Sequence, residues 1–324
     1  MKKTMMMTGL MVSALAVTGP ALAKEWPHEK PVQVVVPFPP GGSTDTIGRL
    51  VADQLQKRLG QNFVVNNRPG ATGTIGASYV QRSEPDGYTL MLSSLGTYVI
   101  APHLYKSVTY DALSDFDYIS VPVQAQNILV AAPDKSATTV ADVVAELKAN
   151  PGKVSFANSG YGASDHLSAE VFLQQTETDG MHVAYKGGAP AINDLMGSQV
   201  DYSFQNVNAV LPHILSGKLR AIAVTGAERA AVLPNVPTLA EEGVPNSVIY
   251  SWQGLSAPKG LPEDIKKKIA DAVIEGFRDP EVSGKLEQLG FEIVASTPEE
   301  MSKFQAAEFQ RWKDLIESRG ITIE

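Results

Sequence analysis

Residues 32–60 have the sequence VQVVVPFPPGGSTDTIGRLVADQLQKRLG, in which an apolar run passes through a Pro- and Gly-rich loop into a helical pattern. The valine-rich run 32–36 predicts a buried strand. Apolar residues then recur at helical spacing at Ile47, Leu50, Val51, Leu55 and Leu59, and Gly60 ends the helix. A strand that leads directly into a helix is the repeating unit of α/β proteins, so this stretch predicts the fold class.

The same strand and helix order continues along the chain. A strand at 63–65, a helix at 75–81 and a strand at 88–92 complete a β-α-β-α-β unit, which predicts a parallel sheet. A second set of alternating strands and helices begins near Ile128 and ends near Val224. The last third predicts helices and no further strand, so these helices are expected to pack on the first sheet: 262–277, 282–289 and 298–319.

This pattern predicts two α/β lobes joined by two crossings of the chain, near 121–126 and 223–226. Lobe 1 is predicted to contain residues 24–124 and 224–324, and lobe 2 residues 125–223. Two crossings form a hinge, which allows two lobes to close around a ligand.

The first 23 residues predict a secretory signal peptide. Lys2 and Lys3 give a positive start, residues 5–19 are mostly apolar, and Ala21-Leu22-Ala23 is a small-x-small cleavage site. Cleavage after Ala23 would export the protein to the periplasm. The chain has no cysteine, which excludes disulfides and a lipid anchor on an N-terminal cysteine.

The charge balance excludes two classes of partner. Lys and Arg number 27 against 35 Asp and Glu, a formal charge of −8. Such a chain is a poor partner for nucleic acid or for an anionic membrane surface. An anionic ligand must therefore be held by local dipoles rather than attracted by net charge.

The loop at 37–46 is the strongest candidate for an anion site. Glycines at 41 and 42 allow close approach of the backbone, and Ser43 or Thr44 is expected to cap the helix that follows. Free N–H groups and the positive helix end together attract an anion. The loop has no Lys, so it is not a nucleotide P-loop. A Gly-rich turn before an ordinary capped helix remains the alternative, and Phe38, beside the loop, is either a core residue or a ligand contact.

The second lobe repeats this strand-to-helix loop at 158–166. Gly162, Ala163 and Ser164 open the helix, and Asp165 occupies the third glycine position of a dinucleotide fingerprint, which argues against NAD. His166 lies in the first helical turn, where the helix dipole disfavours its charged form. The loops at 93–98 and 185–190 also join a strand to a helix. Ligands of open α/β sheets bind at the carboxyl ends of strands, so these loops are expected to surround one ligand.

Enzyme and metal patterns are weak. Residues 162–166 do not form a G-x-S-x-G elbow, and the five histidines form no H-x-x-x-H pair. The sequence therefore predicts no metal and no organic cofactor. A secreted hydrolase that uses Ser164 and His166 remains the alternative to a binding protein.

With these motifs in order, the chain resembles the Bug family, the periplasmic receptors of tripartite tricarboxylate transporters, over essentially the whole mature sequence. The matching segments are 37–45, 67–71, 85–90, 185–191, 217–221 and 234–238, followed by Glu242-Gly243.

The resemblance implies a two-lobed periplasmic-binding-protein fold, the Venus flytrap, that captures a small carboxylate and delivers it to a membrane permease. The carboxylates that it implies include di- and tricarboxylates, amino acids and aromatic acids, and short aliphatic diacids and aromatic acids both remain open. We expect a monomer that is not an enzyme. The ligand-facing positions that it implies are Gly41, Gly42, Ser43, Thr44, Asp45, Gly96, Thr97, Gly162, Ala163, Ser164 and His166. Gln205 and Asn206 are expected to contact the far end of the ligand.

The sequence departs from the family at two of its motifs. Tyr98 stands where the family commonly has His, and Gln205-Asn206 stands where many members have Asp-Asn. Gln cannot supply a charge to pair with a ligand ammonium, which favours plain carboxylates over amino acids.

Overall fold

The computed structural model describes residues 25–322, so the predicted signal peptide and its cleavage site lie outside the described residues. The strands are β1 (Val32–Val36), β2 (Phe63–Asn67), β3 (Thr89–Ser94), β4 (Phe116–Ala131), β5 (Ser155–Asn158), β6 (Met181–Ala184), β7 (Tyr202–Asn206), β8 (Arg220–Val224), β9 (Tyr250–Pro258) and β10 (Glu292–Ile293). The helices are α1 (Ser43–Leu59), α2 (Thr74–Gln81), α3 (Ala101–Leu104), α4 (Val140–Ala149), α5 (Ser164–Gln175), α6 (Gly188–Met196), α7 (Val207–Leu215), α8 (Glu263–Arg278), α9 (Pro280–Gln288) and α10 (Pro298–Arg319). Within residues 25–322, no helix is both long and apolar enough to cross a membrane.

The strands form two sheets that share β4, which gives the two-lobed α/β architecture. In the first sheet β1 pairs in parallel with β2 and β3, and β9 runs antiparallel between β3 and β4. In the second sheet β4 pairs antiparallel with β7 and β8, and β5 lies parallel between β7 and β6. Each lobe therefore has its own sheet, and we call the lobe that begins with β1 lobe 1.

The first crossing between the lobes is a single strand. Residues up to Gln126 of β4 face β9, whereas residues from Asn127 onward face β7. The sequence predicted a new strand only near Ile128, because Gln124, Gln126 and Asn127 interrupt the apolar run. Backbone pairing continues through these polar residues, so the crossing is an extended strand of 16 residues.

The return crossing involves Thr225 and Ile249. The chain reaches the hinge at Thr225, whose N–H donates to Asn127 O at 2.8 Å, and Ile249 N–H donates back to Thr225 O at 3.0 Å. Between these two points the chain covers lobe 2, where Leu239 and Val244 belong to the apolar core. We therefore propose that lobe 2 extends to about residue 249, rather than to 223 as the sequence analysis placed it.

The strand β9 was not predicted. Its sequence, YSWQGLSAP, mixes polar and apolar residues without the continuous apolar run of a buried strand. Residues 251–258 are nevertheless all buried, since β9 lies in the middle of the sheet between β3 and β4. These residues form a strand because they lie in the centre of the sheet, and that position depends on strands that are distant in sequence.

Helices cover both faces of the lobe 1 sheet. Apolar residues of α1 and α8, such as Val51, Leu55 and Val273, pack against Val34 and its neighbours on one face. On the other face, apolar residues of α2 and α10 form a second core around Tyr98 and Trp252. The loops that follow the carboxyl ends of β1 and β5 lead into α1 and α5.

Candidate functional site

The loop before α1 is held in place by a carboxylate from the helix itself. Asp45 Oδ2 accepts a 2.9 Å hydrogen bond from Gly41 N–H, and its carboxylate also binds Asn67 Nδ2 at 2.8 Å and Arg49 Nε at 3.0 Å. Burial alone would raise the pKa of Asp45, but the hydrogen bonds from Gly41, Asn67 and Arg49 lower it below its usual value. Asp45 and the Gly41 N–H, both predicted to face the ligand, are thus used within lobe 1.

The loop before α5 repeats this arrangement in lobe 2. Asp165 Oδ2 accepts hydrogen bonds from Ser159 N–H at 2.7 Å and from Ser159 Oγ at 2.5 Å. Burial raises the pKa of Asp165 to about 6, against the lowering effect of those hydrogen bonds. Both predicted anion loops are therefore shaped by an aspartate in the first turn of the helix that follows.

The helices at this edge of the lobes begin without a capping side chain. Within residues 25–322, the N-cap residues of α1, α5, α6 and α7 make no side-chain capping hydrogen bond. By contrast, Thr139 and Thr297 form full capping boxes at the starts of α4 and α10. The expectation that Ser43 or Thr44 caps α1 is wrong, because Gly42 occupies the N-cap position and both residues lie inside the helix.

The uncapped starts leave backbone donors available. The first helical hydrogen bonds run from Thr46 N–H to Gly42 O and from Leu167 N–H to Ala163 O. The N–H groups at 43–45 and 164–166 precede these bonds and have no acceptor four residues earlier in the helix. In α5 the His166 N–H instead donates to Asp165 Oδ1 at 2.9 Å, so part of this helix start is already used within lobe 2. Two positive helix ends, one from each lobe, therefore present N–H groups at the carboxyl ends of β1 and β5.

His166 does not point a free ring into the cleft. Its Nδ1 accepts the Gly162 N–H at 3.4 Å, and its Nε2 lies 3.5 Å from Glu170 Oε1. Burial first, and the neighbouring His182 second, lower the pKa of His166 to about 4, so the ring is neutral at physiological pH. Neutrality agrees with the sequence analysis, but burial rather than the helix dipole is its main cause.

The same geometry removes the hydrolase alternative. Ser164 Oγ donates to Asn127 Oδ1 at 3.4 Å, whereas the His166 ring contacts Gly162 and Glu170. A nucleophile and its base must share a hydrogen bond, and these two side chains bond to different partners.

Thr97 and Tyr98 lie in a π-helical segment, Gly96–Ile100, and both point into lobe 1. Thr97 Oγ1 accepts from Ser93 Oγ at 2.7 Å and donates to Thr72 O at 3.0 Å. Tyr98 is fully buried and stacks on Trp252 with 5.9 Å between ring centroids. The family departure at Tyr98 therefore changes the core of lobe 1, and Phe38 packs against another part of that core.

Gln205 and Asn206 end β7 at the wall of lobe 2. Gln205 Nε2 donates to Ser203 Oγ at 2.9 Å and to Asp165 Oδ2 at 3.3 Å. Asn206 Nδ2 donates to Asn127 Oδ1 at 2.7 Å. Gln205 is buried, while Asn206 is half-buried and begins α7.

The loops of the two lobes meet across the cleft. Thr72 Oγ1 donates to Tyr161 O at 3.2 Å, and Asn208 Nδ2 donates to Ser43 Oγ at 3.5 Å. A Cβ built on Gly96 would lie 3.4 Å from Gly162 O, so these two loops are also adjacent. The structure thus brings the predicted loops 41–45, 96–97 and 162–166 to one cleft.

Sequence reasoning missed three polar residues at this cleft: Thr72, Asn127 and Asn208. Thr72 lies between Gly70 and Gly73 with a φ of +50°, which the Gly-rich pattern could have signalled. Asn127 is a polar residue within an apolar strand, a pattern that often marks a site. A surface cavity of about 300 Å³ near Arg278 and Phe304 involves none of these loops, so we place the site at the cleft.

Comparison with known proteins agrees with this arrangement. Residues 47–321 match the family model described as tripartite tricarboxylate transporter family receptor. BugT from Bordetella pertussis is 35% identical over 325 residues, which cover 100% of this chain and 99% of BugT.

Two similar solved structures carry ligands. A Rhodopseudomonas palustris protein solved with adipate is 34% identical, with a TM-score of 0.88, over 92% of this chain and 100% of that chain. MatC from Rhodopseudomonas palustris, with bound malate, is 30% identical, with a TM-score of 0.83, over 89% of this chain and 99% of that chain. With the two-lobed fold and the cleft between its helix starts, these matches show that the chain belongs to the tripartite tricarboxylate transporter receptors, a family of periplasmic solute-binding proteins rather than enzymes.

Proposed function

We propose that the cleft captures a small dicarboxylate between the uncapped starts of α1 and α5. The observation that carries this proposal is that α1 and α5 begin at the cleft, one from each lobe, with N-cap residues, Gly42 and Ala163, that make no side-chain capping hydrogen bond. An anion at a helix start accepts those N–H groups and interacts favourably with the helix dipole. A dicarboxylate has one carboxylate for each lobe, which explains how a single ligand holds both.

The direct donors in this proposal are the first-turn N–H groups of α1, the Ser164 N–H at the start of α5, the Ser43 and Ser164 hydroxyls and the Asn206 amide. Ser43 is half-buried beside Asn208 of lobe 2, so it lies where the lobes meet. Gly41, Asp45, Thr97 and His166 have the supporting role of holding the loops in shape.

The ligand is a carboxylate without an ammonium group. Gln205 is neutral, and the Asp165 carboxylate beside it already accepts hydrogen bonds from Ser159 and Gln205. Adipate and malate, the ligands of two similar structures, are dicarboxylates with no ammonium group. A ligand cation at this wall would have no dedicated partner, because Asp165 is occupied within lobe 2.

The cellular role follows from the family. A signal peptide cleaved after Ala23 would release a periplasmic monomer, which closes on its ligand and delivers it to the permease of a tripartite tricarboxylate transporter. Neither a metal nor an organic cofactor enters the capture of the carboxylate.

Thermal shift and calorimetric titration test the proposal with adipate, malate, citrate, benzoate and adipamide. Adipamide has the length of adipate without its charges, so it is the matched control. A ligand at 100 times its Kd stabilises a protein by about 2.7 kcal/mol, which a melting curve detects. Stabilisation by a dicarboxylate but not by adipamide supports the proposal. If no carboxylate stabilises the protein, or if adipamide matches adipate, anion capture at the helix starts is wrong.

A further inference from the structure

Two histidines and one glutamate of lobe 2 form a cluster, and of the three only His166 has a supporting role in carboxylate capture. His166 and Glu170 lie one turn apart on α5, and β6 brings His182 beside them. His182 Nε2 lies 3.2 Å from Glu170 Oε1, and His166 Nε2 lies 3.5 Å from the same oxygen. The two imidazole rings are 4.8 Å apart between centroids. Three side chains from two elements thus converge on one point.

The separations fit the coordination shell of a small transition metal. Zn²⁺ binds histidine nitrogen and carboxylate oxygen at ~2.1 Å, so neighbouring ligand atoms of a tetrahedral site lie about 3.4 Å apart. The two nitrogen-to-oxygen distances in the cluster, 3.2 and 3.5 Å, are close to that spacing. One ligand atom from each of the three residues lies within 4.8 Å of the other two. Small side-chain rotations therefore suffice to place all three around one ion.

The chemistry of the cluster also suits a metal ion. Two imidazoles and a carboxylate are common ligands of Zn²⁺ and Co²⁺, and a three-ligand site leaves a fourth position for water. The side chains of Glu170 and His182 are 27% and 15% exposed, which gives an ion a path from solvent.

A hydrogen-bonded cluster without metal is the competing explanation. In that case the N–H groups of both rings donate to Glu170, and no metal is needed. His182 Nδ1 is buried and has no hydrogen-bond partner among the described residues, whereas its Nε2 lies 3.2 Å from Glu170 Oε1. Metal binding at Nε2 therefore moves the proton of this ring to Nδ1, where no other hydrogen bond has to open. At His166, metal binding at Nε2 requires the proton on Nδ1, so the 3.4 Å contact from Gly162 N–H must open.

We propose that His166, Glu170 and His182 bind a divalent transition metal such as Zn²⁺ or Co²⁺ in lobe 2, beside the carboxylate cleft. No metal was predicted from the sequence, because no two histidines stand one helical turn apart as H-x-x-x-H. Here the second histidine comes from a neighbouring strand, and the helix supplies H-x-x-x-E instead.

Co²⁺ absorption and Zn²⁺ titration test this proposal on tag-free, full-length mature protein freed of metal with a chelator. Tetrahedral Co²⁺ gives visible absorption bands that octahedral Co²⁺ in water gives only weakly. Glu170→Gln and His182→Gln each remove one ligand with little change in volume. His213→Gln is the matched control, because His213 lies at the end of α7, outside the cluster. Circular dichroism and thermal melts confirm that each variant is folded.

One Co²⁺ per chain, with strong visible bands in wild type and His213→Gln, is the expected result. Glu170→Gln and His182→Gln should each weaken Zn²⁺ binding at least ~100-fold, since loss of an outer-sphere partner alone costs 10–100-fold. Wild type that binds neither ion, or binding that persists unchanged in His182→Gln, overturns the proposal. Neither readout uses a carboxylate, so the result is independent of the proposed function.

Discussion

The carboxylate of Asp45 accepts a 2.9 Å hydrogen bond from the backbone N–H of Gly41, which ties the first turn of α1 to the loop before it. In lobe 2, Asp165 makes the same kind of bond to Ser159 N–H at 2.7 Å. In each lobe a helix therefore fixes its own entry loop, and the helix start keeps one shape before the ligand arrives. Such preorganisation lowers the entropy that binding costs.

Asp45→Ala should lower the free energy of unfolding by about 1–3 kcal/mol, because it leaves the Gly41 N–H without its acceptor and the Asn67 amide with Phe38 O alone. Chemical denaturation of wild type and variant measures the difference. Asp53→Asn is the matched control on the same helix, since Asp53 makes a half-exposed pair with Lys57 that is worth about 0.3–0.5 kcal/mol. Equal losses for both variants would mean that Asp45 does not hold the loop.

Asp45→Asn should reveal the charge contribution through its pH dependence. The folded pKa of Asp45 is lowered, so its charge stabilises the protein above the unfolded pKa of ~3.9 and this stabilisation is lost as pH falls through the folded pKa. The difference in unfolding free energy between wild type and Asp45→Asn should therefore be largest near pH 7 and shrink toward pH 3. A difference that stays constant over this range would contradict the assignment.

The sequence predicted the architecture best where local pattern and tertiary environment agree. Helix α1 has its apolar residues at helical spacing and Gly60 at its end, and both features appear in the structure. Strand β9 was missed because its burial comes from β3 and β4, which are remote in sequence.

The candidate site also combines features that depend on the local sequence with features that depend on the tertiary structure. The glycines that follow β1 and β5 identified the two loops at the cleft, because a glycine-rich turn between a strand and a helix can be recognised from the local sequence. The hydrogen bond from Asn67 to Asp45 and the ring contact between His166 and His182 could not be predicted, since Asn67 and His182 come from other strands. Which polar groups remain available for a ligand is therefore a property of the tertiary structure.

Gly42→Leu should weaken carboxylate binding at least tenfold while the free energy of unfolding changes by less than about 0.5 kcal/mol. Gly42 has a φ of −80°, and a Cβ there would lie 3.9 Å from its nearest neighbour, Pro39 O. The protein itself tolerates the side chain, which instead occupies the approach to the helix start.

Gly41→Ala is the matched contrast for Gly42→Leu. Gly41 has a φ of +87° and no atom within 4 Å of a built Cβ, so alanine there strains the backbone by about 1–2 kcal/mol without a clash. Titration with the dicarboxylate found in the screen and denaturant melts measure both effects. Unchanged binding in Gly42→Leu would place the ligand elsewhere.

Thr72→Val should weaken closure of the lobes. Thr72 Oγ1 bonds Tyr161 O across the cleft at 3.2 Å and Tyr105 Oη within lobe 1 at 2.8 Å, and valine keeps the shape without these bonds. A lost hydrogen bond of about 1 kcal/mol corresponds to roughly a fivefold weaker affinity. Calorimetry measures the affinity, and small-angle scattering with and without ligand measures closure.

The control for Thr72→Val is Ser78→Ala, which removes an exposed hydroxyl pair with Thr109 inside lobe 1. It should change neither ligand affinity nor the radius of gyration. A radius of gyration that is the same with and without ligand in wild type would argue against closure itself.

Gln205→Asp should weaken binding of a carboxylate, and the structure explains why. Gln205 Nε2 donates to Asp165 Oδ2 at 3.3 Å, so an aspartate here would place two carboxylates side by side in a buried wall. Two like charges ~4 Å apart repel by about 4 kcal/mol at an effective dielectric constant of 20. The pKa of Asp165, already raised to about 6 by burial, should rise further as the pair retains a proton.

The sign of the pH effect follows from these raised pKa values. A carboxyl whose folded pKa lies above its unfolded value destabilises the protein progressively as pH rises through the folded pKa. The deficit of Gln205→Asp in both unfolding free energy and carboxylate affinity should therefore be larger at pH 7.5 than at pH 5. Gln205→Asn is the matched control, because it shortens the side chain equally and adds no charge. Calorimetric titrations and denaturant melts of both variants at the two pH values make the comparison, and identical behaviour of the two variants would show that charge at position 205 does not reach Asp165 or the ligand.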